Sequence, residues 1–208
     1  QALQQFSGMN AFMYYSGKIF ASAGLENPSV ATIIVGLVNM LTTIIAVRYV
    51  DSWGRKPILY FGLTLLVTAC AVVGYMFHLQ DLGHVLSTTM QYTLLFFCLL
   101  FIFAFAISLG PVIWIICSEI YPLEGRDFGV TVSTMTNWVC NSIIGSYTLT
   151  WFHVMGTAGT FWFFGFMCLL GFILVNRFTP ETKDVPLEEL ELNLKAHKKL
   201  RLLGQRVH

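Results

Sequence analysis

The sequence predicts an all-α membrane protein with six transmembrane helices. Hydrophobic residues make up 56% of the 208 residues, charged residues only 11%, and the mean hydropathy is +0.69. Soluble domains carry about 25% charged residues, so this composition indicates a chain that crosses a lipid bilayer several times. Six apolar stretches reach the roughly 20 residues that one helical crossing needs. The net charge of +1 gives no indication of nucleic-acid binding.

Short polar or charged connections separate the spans. Residues 24–29, 78–89 and 153–159 contain no lysine or arginine. The connections at 48–57 and 118–127, Arg177 at the end of the last span and the C-terminal tail hold every basic residue except Lys18, which lies near the outer end of the first span. By the positive-inside rule, these basic connections and the C-terminus are expected to be cytoplasmic. The predicted spans cover residues 3–23, 30–50, 57–77, 90–117, 128–152, and the stretch from a turn at 156–159 to about 178.

The first span carries polar side chains along one face. On a helical wheel Gln4, Asn10, Tyr14 and Tyr15 share one side, and Phe6, Met9 and other large apolar residues share the opposite side. Polar groups in hydrocarbon are costly, so this face is expected to contact protein or a water-filled cavity. Amides and phenols at successive turns suit a neutral ligand such as a sugar, although pairing with neighbouring helices is the alternative.

Gln5 lies off this polar face of the first span. It would join the other amides only if the helix loosens near Ser7 and Gly8, because glycine tolerates conformations that break a helix. Such a loosening would make the first span irregular.

The fourth span contains Pro111, which removes one helix hydrogen bond and crowds the carbonyl of Ile107. A kink or break is expected there. Trp114 follows three residues later, and its indole could stack on a sugar ring or simply pack at an interface.

In the fifth span Ser133, Asn137 and Asn141 recur every four residues, and Trp138 follows Asn137. This polar stripe indicates either a cavity lining or hydrogen bonding between helices.

Five cysteines lie singly in apolar runs with no metal-site spacing, which predicts buried free thiols. The spans contain no pairing of a base with a nucleophile, so the sequence does not predict an enzyme. After the last span, Asp184 as N-cap and Pro186 in the first turn predict an amphipathic helix in the tail, lying against the bundle or the lipid headgroups.

Six motifs in this order resemble the C-terminal half of sugar porters of the major facilitator superfamily, over essentially the whole chain. They are QQFSGMN at 4–10, Asp51-x-x-Gly54-Arg55-Lys56, Gly110-Pro-Val-Ile-Trp114, Ser118-Glu119-Ile-Tyr-Pro122 with Arg126, Asn137-Trp138, and Pro180-Glu181-Thr-Lys183.

This resemblance implies the C-terminal half of a twelve-helix carrier, with residues 1–178 as helices seven to twelve and residues 179–208 as a cytoplasmic tail. It implies alternating-access transport of galactose or a related hexose or pentose in a bacterial inner membrane, with a proton as coupling ion and no cofactor. The partner would be the N-terminal six-helix half. A facilitative uniporter and a sugar sensor are alternatives, although sensors carry a longer tail.

The resemblance also assigns roles to residues. The substrate-binding residues would be Gln4, Gln5, Asn10, Asn39, Trp114, Asn137, Trp138 and Asn141. Tyr14 and Tyr15 would form an outer gate, and a cytoplasmic charge network would contain Asp51, Arg55, Glu119, Arg126 and Glu181. Without the resemblance, these charged residues would be interpreted as solvent-exposed residues of loops that only set the membrane topology. No acidic residue lies within a span, so a proton-binding carboxylate is expected in the N-terminal half.

Overall fold

The computed structural model describes residues 1–22, 27–183, 185–186, 193 and 196. Within these residues all regular elements are helical, which confirms the all-α prediction. The elements are α1 (Ala2–Phe6), α2 (Met9–Ser22), α3 (Pro28–Trp53), α4 (Arg55–Asp81), α5 (Thr88–Ile107), α6 (Leu109–Ile120), a 3₁₀ turn (Leu123–Gly125) and α7 (Arg126–Phe178). The predicted tail helix, with its N-cap Asp184, lies outside the described residues.

Four helical stretches in the described part of the chain are long and apolar enough to cross a membrane. They are Ser29–Trp53, Arg55–Asp81, Thr88–Ile120 and Leu123–Phe178. The count differs from the six predicted spans for two reasons. The first predicted span is divided into two short helices, and the last two predicted spans run together within α7.

The division of the first span lies at Ser7 and Gly8. Gly8 has φ +89°, a left-handed conformation that other residues rarely adopt, and a Cβ there would overlap the ring of Phe164. The helix is thus interrupted at the position where it would have to loosen for Gln5 to join the other amides. The break turns α1 relative to α2, so Gln5 no longer follows the helical wheel of the residues after Gly8.

A second break separates α5 from α6 at Ser108, where φ is −121° and ψ is −90°. Pro111 is the third residue of α6, and the first turn of a helix has no internal partners for its N–H groups. The missing N–H of Pro111 therefore costs little, and the interruption predicted from Pro111 is confirmed. Gly62 of α4 packs directly against this break, since a Cβ at that position would overlap Ser108 Oγ.

The helix α7 is interrupted by Gly156, which has φ 72° and ψ 170°. This residue lies in the predicted turn at 156–159 and divides α7 into two helical segments, 126–155 and 157–178. The two segments correspond to the fifth and sixth predicted spans.

The core is centred on α4, which packs against α5 and α7. Its buried face presents Leu59, Leu63, Leu66, Cys70 and Val73 at helical spacing. Phenylalanines close the core between helices, as in the stacked pair of Phe77 from α4 and Phe161 from α7, whose ring centroids are 5.9 Å apart. The cysteines are free, and Cys70, Cys98 and Cys168 are buried as predicted. By contrast, one long face of α3 is exposed along most of the helix.

The conformation of Gly8 makes it sensitive to substitution. Gly8→Ala should destabilise the protein by about 1–3 kcal/mol because it forces a left-handed conformation on alanine and a clash with Phe164. Gly36→Ala is the control, since a Cβ at Gly36 meets nothing within 4 Å. Thermal unfolding of both full-chain variants in detergent checks this, and equal midpoints would contradict it.

Candidate functional site

A polar cluster lies inside the bundle, where α1, α2, the start of α6 and the first segment of α7 meet. Gln4 and Gln5 of α1 are 3% and 6% exposed, and Asn137 and Asn141 of α7 are 5% and 8% exposed. Buried amides of this kind require hydrogen-bond partners. The structure provides them in two groups.

The first group joins α1 to α6 and α7 through Gln4. Its Nε2 donates to the carbonyl oxygens of Leu109 at 2.7 Å and Gly110 at 3.1 Å, directly after the break at Ser108. Asn137 Nδ2 donates to Gln1 Oε1 and Gln4 Oε1, both at 2.7 Å. Both amide hydrogens of Gln4 are thus engaged within the protein.

The second group joins α1 to α2 and α7 through Asn10. Its Nδ2 donates to Gln5 Oε1 at 2.5 Å and to Asn141 Oδ1 at 3.1 Å. The hydroxyl of Tyr14 also donates to Asn141 Oδ1, at 3.2 Å. The break at Gly8 makes this meeting of Gln5 and Asn10 possible.

Two amide groups in the cluster retain hydrogen-bonding capacity. Among the described residues, Gln5 Nε2 and Asn141 Nδ2 donate no hydrogen bond, although each side-chain oxygen accepts one or two. Nearby helices also present large aromatic side chains. Trp114 of α6 is 39% exposed, and Trp138 of α7 is 62% exposed. Free amide donors and exposed indoles are the kinds of group that bind a ligand with hydroxyl groups and apolar faces.

Two predicted residues lie apart from this hydrogen-bonded cluster. Tyr15 donates its hydroxyl to the carbonyl of Gly145 at 3.0 Å, away from the amides. Asn39 of α3 is half-buried. Its backbone carbonyl accepts from the hydroxyl of Thr43, and its side chain forms no hydrogen bond in the described part of the chain.

A charge cluster lies at the end of the bundle where α3, α6 and α7 end and α4 begins; we call it the charged end. Arg55 Nη2 is 2.7 Å from Glu119 Oε1 and 3.0 Å from Asp51 Oδ1. The side chains of Arg55 and Glu119 are only 10% and 19% exposed, whereas that of Asp51 is 81% exposed. The Arg55–Glu119 pair is therefore the stronger ionic contact, because solvent screens the exposed partner.

Glu181 joins the charged end through the backbone. Its Oε1 accepts from the N–H of Arg55 at 3.0 Å, and its Oε2 accepts from the N–H of Lys56 at 2.9 Å. The N-cap of α4 is Gly54, which has no side chain to satisfy these groups. Glu181 thus supplies the cap and places a negative charge at the helix N-terminus, which the helix dipole favours.

Arg126 stands apart from the other members predicted for the charge network. Its Nε is buried without a hydrogen-bond partner, and Arg126 forms no ion pair among the described residues. The structure thus gathers Asp51, Arg55, Glu119 and Glu181, and leaves Arg126 outside. That all five residues form one network stays a prediction.

Three further residues form hydrogen bonds within the polar cluster or the charged end and were not predicted from the sequence. Gln1 accepts a hydrogen bond from Asn137, Thr182 donates to Glu119, and Lys183 donates to the carbonyl of Ser52. Gln1 lies one helical turn before Gln4, which is the signal that would have found it. Thr182 and Lys183 were quoted within a motif, yet no local pattern indicated their partners.

Comparison with known proteins decides the family. A family model described as "Sugar (and other) transporter" matches residues 1–194. The chain belongs to this family. Its members are transporters, which are not enzymes.

Among relatives of this sugar transporter family, the galactose-proton symporter of Escherichia coli strain K12 is 46% identical over 98% of the chain and 44% of the relative. The arabinose-proton symporter of the same strain is 44% identical with the same coverage. The chain therefore spans less than half the length of these relatives.

Solved structures of sugar transporters have the same fold. The proton:xylose symporter XylE bound to 6-bromo-6-deoxy-D-glucose aligns with a TM-score of 0.79 and 31% identity, covering 92% of this chain and 40% of that protein. The inward-open xylose transporter XylE from E. coli gives a TM-score of 0.75 at 30% identity, covering 92% of this chain and 39% of that one. This integral membrane protein thus has the fold of the sugar porters of the major facilitator superfamily.

The ion pair between Arg55 and Glu119 should contribute to the stability of the protein. Arg55→Met should lower stability by about 1–3 kcal/mol, because it leaves the largely buried carboxylate of Glu119 without its cation. The control is Arg48→Met, which removes an exposed arginine from α3. Thermal unfolding of the full chain in detergent checks the difference, and an equal effect of the two variants would contradict it.

Proposed function

We propose that this chain is the C-terminal half of a twelve-helix carrier that moves a sugar across the membrane by alternating access. The substrate would be galactose or a related hexose or pentose, and the coupling ion a proton. The similarity to galactose-proton and arabinose-proton symporters supports this proposal, as does the coverage of less than half of each relative. The remaining half would be the N-terminal six-helix bundle.

The helix breaks support a six-crossing arrangement. The 53 residues of α7 would extend about 80 Å as one helix, far more than the roughly 30 Å of hydrocarbon. We therefore assign one crossing to each side of Gly156. The pairs α1–α2 and α5–α6 then make one broken crossing each. Residues 1–178 form the bundle, and residues 179–208 form a tail on the cytoplasmic side, where the positive-inside rule puts the charged end.

The observation that carries the sugar-binding proposal is the polar cluster with its unused amide donors. Gln5 and Asn141 would donate to sugar hydroxyls, and Asn10 lies between them. Gln4 and Asn137 would complete the wall, with Gln4 holding Asn137 in place. The wall would also include Trp114 and Trp138 as stacking surfaces, with Asn39 at its edge. Neutral donors and acceptors flanked by indoles match the surface of a monosaccharide.

Proton coupling would depend on the other half of the carrier. The polar cluster of Gln4, Gln5, Asn10, Asn137 and Asn141 contains no carboxylate. An amide cannot take up and release a proton near neutral pH. We therefore assign the proton-binding carboxylate to the N-terminal half.

Gating would use the two ends of the bundle. Tyr14 and Tyr15 of α2 would close the outer side, with Tyr14 also donating to Asn141 of the polar cluster. At the charged end, the cluster around Arg55 and Glu119 would be joined by Arg126 in one conformation of the cycle. The buried, unpartnered Nε of Arg126 supports this assignment, because such a group needs an acceptor that the N-terminal half can supply.

Radiolabelled galactose uptake by the full-length parent in cells, with and without a protonophore, tests this function. Accumulation above the external concentration that collapses with the protonophore would establish proton symport. Uptake that only equilibrates and ignores the protonophore would identify a uniporter. Galactose binding without uptake would identify a sensor.

Substitutions in the polar cluster should weaken sugar binding. Asn10→Ala and Gln4→Ala each remove two or more hydrogen bonds within the cluster and should raise the dissociation constant about tenfold, since one net hydrogen bond contributes about 1 kcal/mol. Ser142→Ala is the control, because this exposed hydroxyl bonds only the carbonyl of Trp138. Equilibrium binding of labelled sugar to membranes measures the effect. Unchanged affinity in both variants would remove these residues from the site.

A further inference from the structure

Three successive residues after α7 contact three different helix ends. Glu181 caps the N-terminus of α4, Thr182 Oγ1 donates to Glu119 Oε2 at 2.6 Å near the end of α6, and Lys183 Nζ donates to the carbonyl of Ser52 at 2.7 Å near the end of α3. A short turn thus joins α3, α4 and α6 at the charged end. Thr182 is the buried centre of this turn, with 3% of its surface exposed.

The contact from Thr182 completes the coordination of Glu119. Oε1 of this carboxylate faces Arg55, and Oε2 receives the hydroxyl of Thr182. A largely buried carboxylate is most stable when both oxygens have donors. With one donor missing, the carboxyl group can rotate, and its bond to Arg55 loses its fixed geometry. The hydroxyl therefore fixes the plane of the carboxylate.

We propose that Thr182 is a positioning residue that aims Glu119 at Arg55 and so locks the end of α6 to the start of α4. The inference rests on the proposed function, in which the charged end opens and closes during transport. The lock stabilises the conformation described here. Its loss would bias the carrier towards the opposite end state, so that completing the cycle takes longer while the distant sugar site is unchanged.

The decisive experiment is a double-mutant cycle in the full-length carrier. Thr182→Val keeps the shape of the side chain and removes the donor, Thr182→Ser keeps the donor, and Glu119→Gln weakens the acceptor. We expect Thr182→Val to lower the Vmax of galactose uptake about fivefold or more, and Thr182→Ser to restore most of it. In a Glu119→Gln background, Thr182→Val should add less than twofold, since the two residues act through one contact.

The thermal midpoint in detergent gives a second readout of the same cycle. Thr148→Val is the matched control, because Thr148 is fully buried and its hydroxyl bonds only the carbonyl of Ile144 in its own helix. Effects of Thr182→Val and Glu119→Gln that simply add, or a Thr182→Ser variant as impaired as Thr182→Val, would overturn the inference. If the parent carries no sugar, the proposed function fails, and the thermal cycle alone still decides whether Thr182 acts through Glu119.

Discussion

Buried polar groups must find hydrogen-bond partners, and the arrangement of this bundle depends on that constraint. Regular helices use up their own backbone groups and leave little for a side-chain amide. The breaks at Gly8 and Ser108 relieve this problem at neighbouring points of the bundle. Gln4 reaches the carbonyls at the start of α6, and Gln5 turns towards Asn10. Irregular backbone within a membrane is stable only where protein or water satisfies it, and here each break is matched by amides.

The same need for hydrogen-bond partners applies to the charged side chains at the charged end. Arg55 and Glu119 are largely withdrawn from solvent, and each has more than one polar partner. The N-terminus of α4 lacks a capping side chain of its own and is capped by Glu181. Two guanidinium nitrogens depart from this rule, since the Nε atoms of Arg55 and Arg126 are buried and find no hydrogen-bond partner among the described residues. Because some charged groups at the charged end have hydrogen-bond partners and others lack them, the stability of this end depends on the groups that pack against it.

The helix breaks could be predicted from the sequence because they arise from local backbone chemistry. Gly8 and Gly156 lie at breaks and Pro111 lies just after one, since glycine tolerates a positive φ and proline lacks an N–H. The residue type alone does not decide, however, because Gly36 and Gly62 lie inside regular helices. The partners in the site could not be predicted in this way. Asn137 and Asn141 formed one stripe on a helical wheel, yet they bond different helices, and Arg126 lies near its motif partners in sequence without contacting them. Such pairings depend on the approach of segments more than a hundred residues apart.

The connection between α3 and α4 consists of Gly54 alone. Its positive φ and the carboxylate of Glu181 beside it leave no room for a side chain, and one residue advances the chain by only about 3.8 Å. Two apolar helices joined so closely cannot enter the bilayer separately, because neither has slack to wait in solvent while the other inserts. The two helices must therefore enter the bilayer together, as a helical hairpin.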